Sequence, residues 1–358
     1  MKKMEMGFEK RNELKEKPDM NALGFGKYFS DYMLIVDYEE GKGWFDPRIV
    51  PYGPLCYSPG TMVFHYGQSS FEGLKAYYID EKTLHLFRPE MNFKRLNTSN
   101  ERLCIPELDT EEFIEYICEL VKIEKDWIPK DYGKSAYIRP FILATDESLG
   151  VHSSRTFQFI CIISPVASYY AEGIKPVRIY VEHNFKRAVK GGTGFAKTAA
   201  NYVQGLKSQE DASKLGYSQV LWLDAVERKY IEEVGSMNIM FVIDGTVVTP
   251  ELNGSILPGV TRDSALQILR DKGYKIEERK ITIDELIEAA ESGKLNEAFG
   301  TGTAAIISPV GELTHNDKTY IINNNEIGPV AQEIYDTVMG IQYGKTEDKF
   351  GWIKKIEL

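Results

Sequence analysis

The sequence predicts an α+β fold in two domains. Three observations carry that reading. A chain of 358 residues is long enough to bury two separate cores. Its first part reads as two strands, two helices and two more strands, which suits an α+β domain. A stretch rich in Pro, Gly, Ser and Tyr follows, and beyond it a second series of strands and helices begins. The expected domains are residues 1–165, smaller and N-terminal, and 177–358, larger and C-terminal, joined by a linker over 166–176.

The elements follow in order. Met1 to about Lys27 is polar and reads as a loose arm. Tyr32–Tyr38 alternates and is apolar, a strand, and Glu39–Gly43 is its turn. Leu74–Ile79 and Leu84–Phe87 read as a strand pair around Asp80-Glu81-Lys82. Arg88-Pro89 opens a helix carrying Met91, Phe93, Leu96 and Leu103, since proline suits the first turn. Asp109 with Glu112 three residues on is a capping signature for a helix that buries Phe113, Ile117, Leu120 and Val121. Tyr137–Ala144 and Thr156–Ile163 are rich in β-formers and read as antiparallel partners.

In the second part, Val177–Val181 is a strand, and a helix runs from Asn201 to about Leu215, stopped by Gly216. Strands are expected at Gln219–Asp224, Tyr230–Val234 and Asn238–Ile243. Asp244-Gly245 is a hairpin dipeptide that returns the chain through Val247–Thr249. Gly259-Val260-Thr261 leads a helix to Leu269. Tyr274–Arg279 reads as a strand, Ile283–Glu291 as a helix, Gly300–Ala305 as a small-residue loop and Pro329–Met339 as an amphipathic helix.

Composition excludes several classes. Hydrophobic residues make up 43% and charged residues 27%, an ordinary globular balance. The net charge is −10 without a basic block, which argues against nucleic acid. Met1–Pro18 is charged and has no apolar segment, so no secretory signal is expected, and no apolar run is long enough to cross a bilayer. Cys56, Cys104, Cys118 and Cys161 lack paired close spacing, which fits reduced thiols in a cytoplasmic protein. The five histidines show no metal-ligand spacing, so no metal is expected.

Four features carry chemistry. The stretch from Gly191 to Tyr202 sets Lys197 among glycines, alanines and threonines. Small residues let a backbone approach a ligand closely, and an amine with little side-chain cover in a tight pocket is a nucleophile for a carbonyl. Glu232-Glu233 precedes a small-residue turn and an apolar strand, so a carboxylate there is either a surface charge or the holder of a heterocyclic cation. Gly259-Val260-Thr261 at a helix start is either an ordinary cap or an anion cradle of free amides. Gly302-Thr303-Ala304 is either a plain turn or a loop of exposed amides with a hydroxyl. Together they fit pyridoxal phosphate, which needs a lysine for its aldehyde, an acid for its ring nitrogen and donors for its phosphate.

A resemblance sharpens this. Glu233, Gly235, Asn238 and Ile239, then Val247-Val248-Thr249, then Leu257-Pro258-Gly259-Val260-Thr261-Arg262, resemble the signature of the class IV aminotransferases. Nearly the whole chain is similar to the branched-chain amino acid aminotransferases, through Phe71-Glu72-Gly73-Leu74-Lys75-Ala76, Leu86-Phe87-Arg88-Pro89, Arg102-Leu103-Cys104-Ile105-Pro106, Tyr137-Ile138-Arg139-Pro140, Ser148-Leu149-Gly150-Val151 and Phe299–Ala304. Met240 stands where the signature prefers an aromatic. Ala305 and Ser308 stand where mammalian relatives carry a Cys-x-x-Cys pair.

The resemblance implies fold type IV, with an active site at the domain interface of a homodimer, and pyridoxal 5'-phosphate as cofactor. It implies transfer of an amino group from leucine, isoleucine or valine to 2-oxoglutarate, so that amino acids and 2-oxo acids are the partners. A D-amino acid aminotransferase or an aminodeoxychorismate lyase is the alternative within the fold. By the same resemblance Lys197 is the Schiff-base lysine and proton shuttle, Glu233 faces the ring nitrogen, and Tyr202 meets the ring's phenolic oxygen. Arg95, Val260, Thr261 and Thr303 hold the phosphate, with Arg187 nearby. Ser236 and Ala304 receive the α-carboxylate. Tyr66, Phe71 and Tyr137 line the side-chain pocket, Arg139 serves the second carboxylate of glutamate, and Leu149 and Val151 reach into the partner's pocket.

Overall fold

The computed structural model describes residues 4–167 and 175–358, so the expected linker over 166–176 lies largely outside the described residues. The chain divides into two compact units. One takes the described residues as far as 167, with Ala196–Ala199 and Gly340–Leu358. The other takes the described residues from 175 to Phe195, with Ala200–Met339. The expected second domain, 177–358, therefore gives two segments to the first unit: the short stretch that carries Lys197, and the C-terminus.

The first unit is built on a nine-stranded sheet. In order across the sheet run Gly7–Phe8, Gly43–Pro51, Tyr32–Glu39, Thr156–Val166, Ser135–Ala144, Leu74–Asp80, Thr83–Phe87 and Ile353–Glu357, with Ser69–Phe71 also paired to Ser135–Ala144. Helices Pro89–Arg102 and Thr110–Ile123 cover one face, and Phe93, Leu96, Phe113, Ile117 and Leu120 bury against Leu34, Ile138 and Phe159. Pro89 sits at the first helical position, and the Asp109 side chain accepts from the Glu112 amide as its spacing predicts.

Four strands of this sheet escape sequence reading: Gly7–Phe8, Gly43–Pro51, Ser69–Phe71 and Ile353–Glu357. Gly43–Pro51 contains Pro47 and Pro51, but its outer neighbour is only the two-residue strand Gly7–Phe8, so proline's missing donor is tolerated there. Ile353–Glu357 is polar and short, and becomes a strand by pairing antiparallel with Thr83–Phe87. The N-terminal arm is also not loose. The Lys15 amide donates to Asp31 Oδ1 at 2.7 Å, and the Arg11 amide donates to the Tyr32 hydroxyl at 3.1 Å.

The second unit holds another nine-stranded sheet. Its order is Ile231–Val234, Gln219–Leu223, Val177–Glu182, Ile306–His315, Leu295–Gly302, Met237–Ile243, Thr246–Thr249 and Ile276–Glu278, with Lys318–Ile321 paired to Ile306–His315. Ile231–Val234 also pairs with Met237–Ile243, which closes part of the sheet on itself. Ile179, Leu221, Ile239, Phe241 and Leu313 fill its core with Leu286 of helix Ile283–Glu291. Asp244 and Gly245 both take positive φ, 49° and 76°, as a tight hairpin with right-handed strand twist demands.

The expected loop Gly300–Ala305 is corrected. Gly300, Thr301 and Gly302 end the strand Leu295–Gly302, and only Thr303–Ala305 turns. The glycines serve packing there. A Cβ on Gly300 would lie 2.9 Å from Met237 Cε, and one on Gly302 would lie 3.0 Å from Met237 Cγ.

Candidate active site

In the first unit the backbone fixes Lys197 before its side chain does anything. The Lys197 amide donates to Ser99 Oγ at 2.8 Å, and its carbonyl accepts from the Phe71 amide at 3.0 Å. Thr198 forms an antiparallel bridge with Ser70, and its hydroxyl donates to the Ser69 carbonyl at 2.8 Å. Lys197 is thus held against the edge of strand Ser69–Phe71. Its half-buried side chain brings Nζ to 4.9 Å from the centre of the Phe71 ring, a cation–π distance.

Phe71 is shared. The Arg139 guanidinium lies 4.8 Å from the same ring and 5.2 Å from the Tyr137 ring, and Arg139 Nη2 donates to the Tyr137 hydroxyl at 3.0 Å. Tyr137 and Arg139 are two apart on strand Ser135–Ala144 and share its face, as strand periodicity requires. Arg139 Nε is buried and meets no acceptor among the described residues. Tyr66, Leu149 and Val151 are more exposed, and the Tyr66 hydroxyl donates to the Leu149 carbonyl.

Gly73 explains why Tyr137 sits where it does. A Cβ on Gly73 would lie 1.9 Å from the Tyr137 hydroxyl oxygen, so only glycine leaves room for the phenol. Gly73→Ala is therefore expected to displace the Tyr137 ring and lower stability by about 1–3 kcal/mol, the range for overpacking. Thermal unfolding checks this, and an unchanged melting temperature would contradict the packing argument.

Arg95, on helix Pro89–Arg102, is buried and paired. Its Nε donates to Glu72 Oε1 at 2.7 Å and its Nη2 to Glu72 Oε2 at 2.9 Å. Asn92 Nδ2 and the Gly73 amide also donate to Glu72 Oε2, at 2.8 Å and 3.1 Å. Burial alone would push the Glu72 carboxyl up, but the Arg95 charge and hydrogen bonds, with Lys197 and Asn92 adding, hold it below the ordinary carboxylate value.

The second unit contains a cavity of about 270 Å³ lined by Arg187, Tyr202, Glu233, Ser236 and Leu257, among others. Glu233 is buried on the short strand Ile231–Val234. Its Oε1 accepts from the Leu257 amide at 2.7 Å and from Arg187 Nη2 at 3.1 Å. The Leu257 carbonyl is held in turn by Asn238 Nδ2 at 2.9 Å, so both backbone groups of Leu257 are tied to the strands beside the cavity. Gly259 then starts helix Val260–Asp271 with no side-chain cap, and Val260 and Thr261 lie buried in its first turn. Amides at such a start favour an anion. Thr303 and Ala304 lie in the turn between strands Leu295–Gly302 and Ile306–His315.

The glycines of the lysine stretch have a role that differs from the expected one. A Cβ on Gly194 would lie 2.1 Å from the Ser255 carbonyl oxygen and 2.6 Å from Ala188 Cβ. Gly194 thus admits protein backbone, and the same two carbonyls, of Gly194 and Ser255, accept from Arg187 Nη2. Gly191 supplies a left-handed φ of 84°.

Several residues beside these were missed by sequence reading. Glu72 and Asn92 hold Arg95, Ser99 holds the Lys197 amide, and Asn238 holds Leu257. Phe25, from the arm, meets the Tyr137 ring edge-on at 5.0 Å. Lys75 lies opposite Tyr137 in the strand register, and burial brings its amine down to about 8. Glu72 and Lys75 stand inside the Phe71–Ala76 motif, yet nothing local distinguishes them from surface charges.

The arrangement fits pyridoxal phosphate. Within the second unit a buried carboxylate and a phenol flank one cavity, and Arg187 Nε there is buried with no acceptor among the described residues. An uncapped helix start in the same unit provides donors suited to a phosphate. In the first unit, Lys197 carries an amine suited to an aldehyde.

Comparison with known proteins agrees. The family model for class IV amino-transferases matches residues 69–313. Branched-chain-amino-acid aminotransferase 2 of Bacillus subtilis (strain 168) is 57% identical over 356 residues, covering 99% of this chain and 98% of that protein. The crystal structure of the Escherichia coli branched-chain amino acid aminotransferase is 27% identical with a TM-score of 0.75, covering 90% of this chain and 98% of that one. The T.th. branched-chain amino acid aminotransferase, complexed with N-(5'-phosphopyridoxyl)-L-glutamate, is 28% identical with a TM-score of 0.72, covering 89% of this chain and 97% of that one. With a family match over most of its length and a relative this close, the chain belongs to the class IV aminotransferases, alongside the branched-chain-amino-acid aminotransferases of fold type IV, and is a pyridoxal-phosphate-dependent transaminase.

Proposed function

We propose that the enzyme moves the amino group of L-leucine, L-isoleucine or L-valine to 2-oxoglutarate in two half-reactions, holding the group between them. The observation that carries this reading is the cluster of Phe71, Tyr137 and Arg139 beside Lys197. Two aromatic faces suit a branched aliphatic side chain, and one guanidinium suits a distal carboxylate. The identity to the Bacillus subtilis enzyme and the glutamate-bearing ligand of the T.th. enzyme support both substrates.

The cofactor supplies an aldehyde and an electron-accepting ring. The chain's residues do the rest. Lys197 Nζ would be the amine that holds the cofactor's aldehyde and the base that takes the proton from the substrate Cα. Glu233 gives the ring nitrogen a fixed negative partner, and Tyr202 meets the phenolic oxygen. Arg95, Val260, Thr261 and Thr303 grip the phosphate. Ser236 and Ala304 orient the α-carboxylate. Tyr66, Phe71 and Tyr137 shape the side-chain pocket. Arg187, charged and buried beside Glu233, holds that carboxylate in place.

Among the described residues no helix is long and apolar enough to cross a membrane, and we read the enzyme as cytoplasmic. We also read it as a homodimer. Phe64, Leu149 and Val151 expose 61%, 69% and 82% of their surface, apolar area that a second copy would cover. Analytical ultracentrifugation checks this, and a monomer at micromolar concentration would reject it.

Arg139 gives the sharpest test of the substrate pair. Arg139→Met is expected to lower kcat/KM for glutamate about tenfold or more, and for leucine far less, as suits a charge-assisted bond of about 1.5–3 kcal/mol. Single-turnover reaction with each amino acid separately reads this out. Equal losses would make Arg139 a support of the sheet and leave the carboxylate to another group.

A further inference from the structure

We infer that Glu72 is a positioning residue for the cofactor phosphate, acting by fixing the plane of the Arg95 guanidinium. The inference rests on the reading of Arg95 as a phosphate ligand.

The geometry is that of a locked fork. Arg95 presents Nε and Nη2 to the two oxygens of Glu72, a bidentate pair that fixes the guanidinium in plane and direction. Glu72 cannot turn to follow Arg95 elsewhere. It has no exposed surface, and Asn92 and the Gly73 amide donate to Oε2 as well. Four donors on one carboxylate use about all the acceptor directions it has. The backbone around Glu72 is fixed on both sides: the Phe71 amide donates to the Lys197 carbonyl, and the Glu72 amide donates to the Pro140 carbonyl at 2.8 Å. Arg95 itself comes from a helix, so the pair ties that helix to the link between strands Ser69–Phe71 and Leu74–Asp80.

The charges also balance. A buried guanidinium alone would leave an uncompensated positive charge close to Lys197, whose charge acts on Glu72. With Glu72 ionised, Arg95 presents a directed set of donors without an added net charge. A phosphate dianion arriving at that site then meets aligned N–H groups whose orientation was set on folding. An arginine on a long flexible stem would otherwise lose rotamer freedom upon binding.

The experiment compares pyridoxal phosphate with pyridoxal, which lacks the phosphate. Both are titrated into apoenzyme by absorbance, with wild type, Glu72→Gln, Glu72→Asp, Arg95→Met and the double variant Arg95→Met/Glu72→Gln. Glutamine keeps the shape but turns donors toward donors and removes the charge. Glu72→Gln is expected to weaken pyridoxal phosphate tenfold or more while leaving pyridoxal within twofold. Glu72→Asp keeps the charge and should recover part of the loss. In the Arg95→Met background Glu72→Gln should add nothing further to the loss.

Equal weakening of both compounds, or no weakening of either, overturns the inference. Additive losses in the double variant overturn it too, because Glu72 would then act without Arg95. Should Glu72→Gln fail to fold, the double variant keeps the question open to measurement, since neither partner leaves a buried unpaired charge. Its affinities are then set beside those of Arg95→Met, and a further loss of phosphate selectivity in the double variant rejects the role. Arg95→Met that binds pyridoxal phosphate normally refutes the reading of Arg95 itself, a different failure from that of Glu72.

Discussion

Lys197→Ala is expected to lower kcat by about 10⁴-fold or more and to abolish the covalent, borohydride-trappable attachment of the cofactor. Two duties are lost at once. On the proposed reading the amine would serve both as nucleophile toward the aldehyde and as proton carrier; acid–base catalysis alone contributes about 10²–10⁴-fold. The segment itself should persist. Its bonds to Ser99 and Phe71 run through the Lys197 amide and carbonyl, which alanine retains. The variant is therefore expected to fold and to bind the cofactor without a covalent link. Peptide mapping after borohydride treatment checks this. A trapped link at another lysine would place the chemistry elsewhere.

Glu233→Gln comes second in size. The expected loss in kcat is on the order of 10²–10³-fold, the range for removing one fixed electrostatic partner of the reacting system. Glutamine Oε1 can still accept from the Leu257 amide, so the helix start at Gly259 should keep its place. What disappears is the negative charge. Arg187 loses its counter-charge in a buried site, and a lower melting temperature is expected beside the kinetic loss. Steady-state kinetics with saturating cofactor separate turnover from binding. A near-normal kcat would mean that another group holds the ring nitrogen.

Local signals read well because the physics behind them is local. Asp109 caps its helix through an amide three residues away, and Asp244-Gly245 makes its turn from its own two φ angles. Lys197 stands out in the sequence for a related reason: one amine in a run of small residues is a local pattern. The roles expected of the remaining site residues rest on the family resemblance. The strand Ile353–Glu357 and the three-residue strand Ser69–Phe71 were not legible, because each exists through its partner rather than through its own alternation.

What the sequence by itself determined is the α+β class, many of the helices and strands, and the cofactor chemistry. What only the tertiary structure decided is who meets whom. Glu72 reads as any charged residue until Arg95, 23 positions away, supplies the fork that makes its burial tolerable. Nothing local in the sequence marks Gly73 and Gly194 as packing sites, yet the Tyr137 hydroxyl and the Ser255 carbonyl fill the space where a Cβ would stand. The reason is the same in each case. Spacing along the chain encodes contacts within a turn or a hairpin, whereas close packing and the pairing of buried charges are set by residues that only folding brings together.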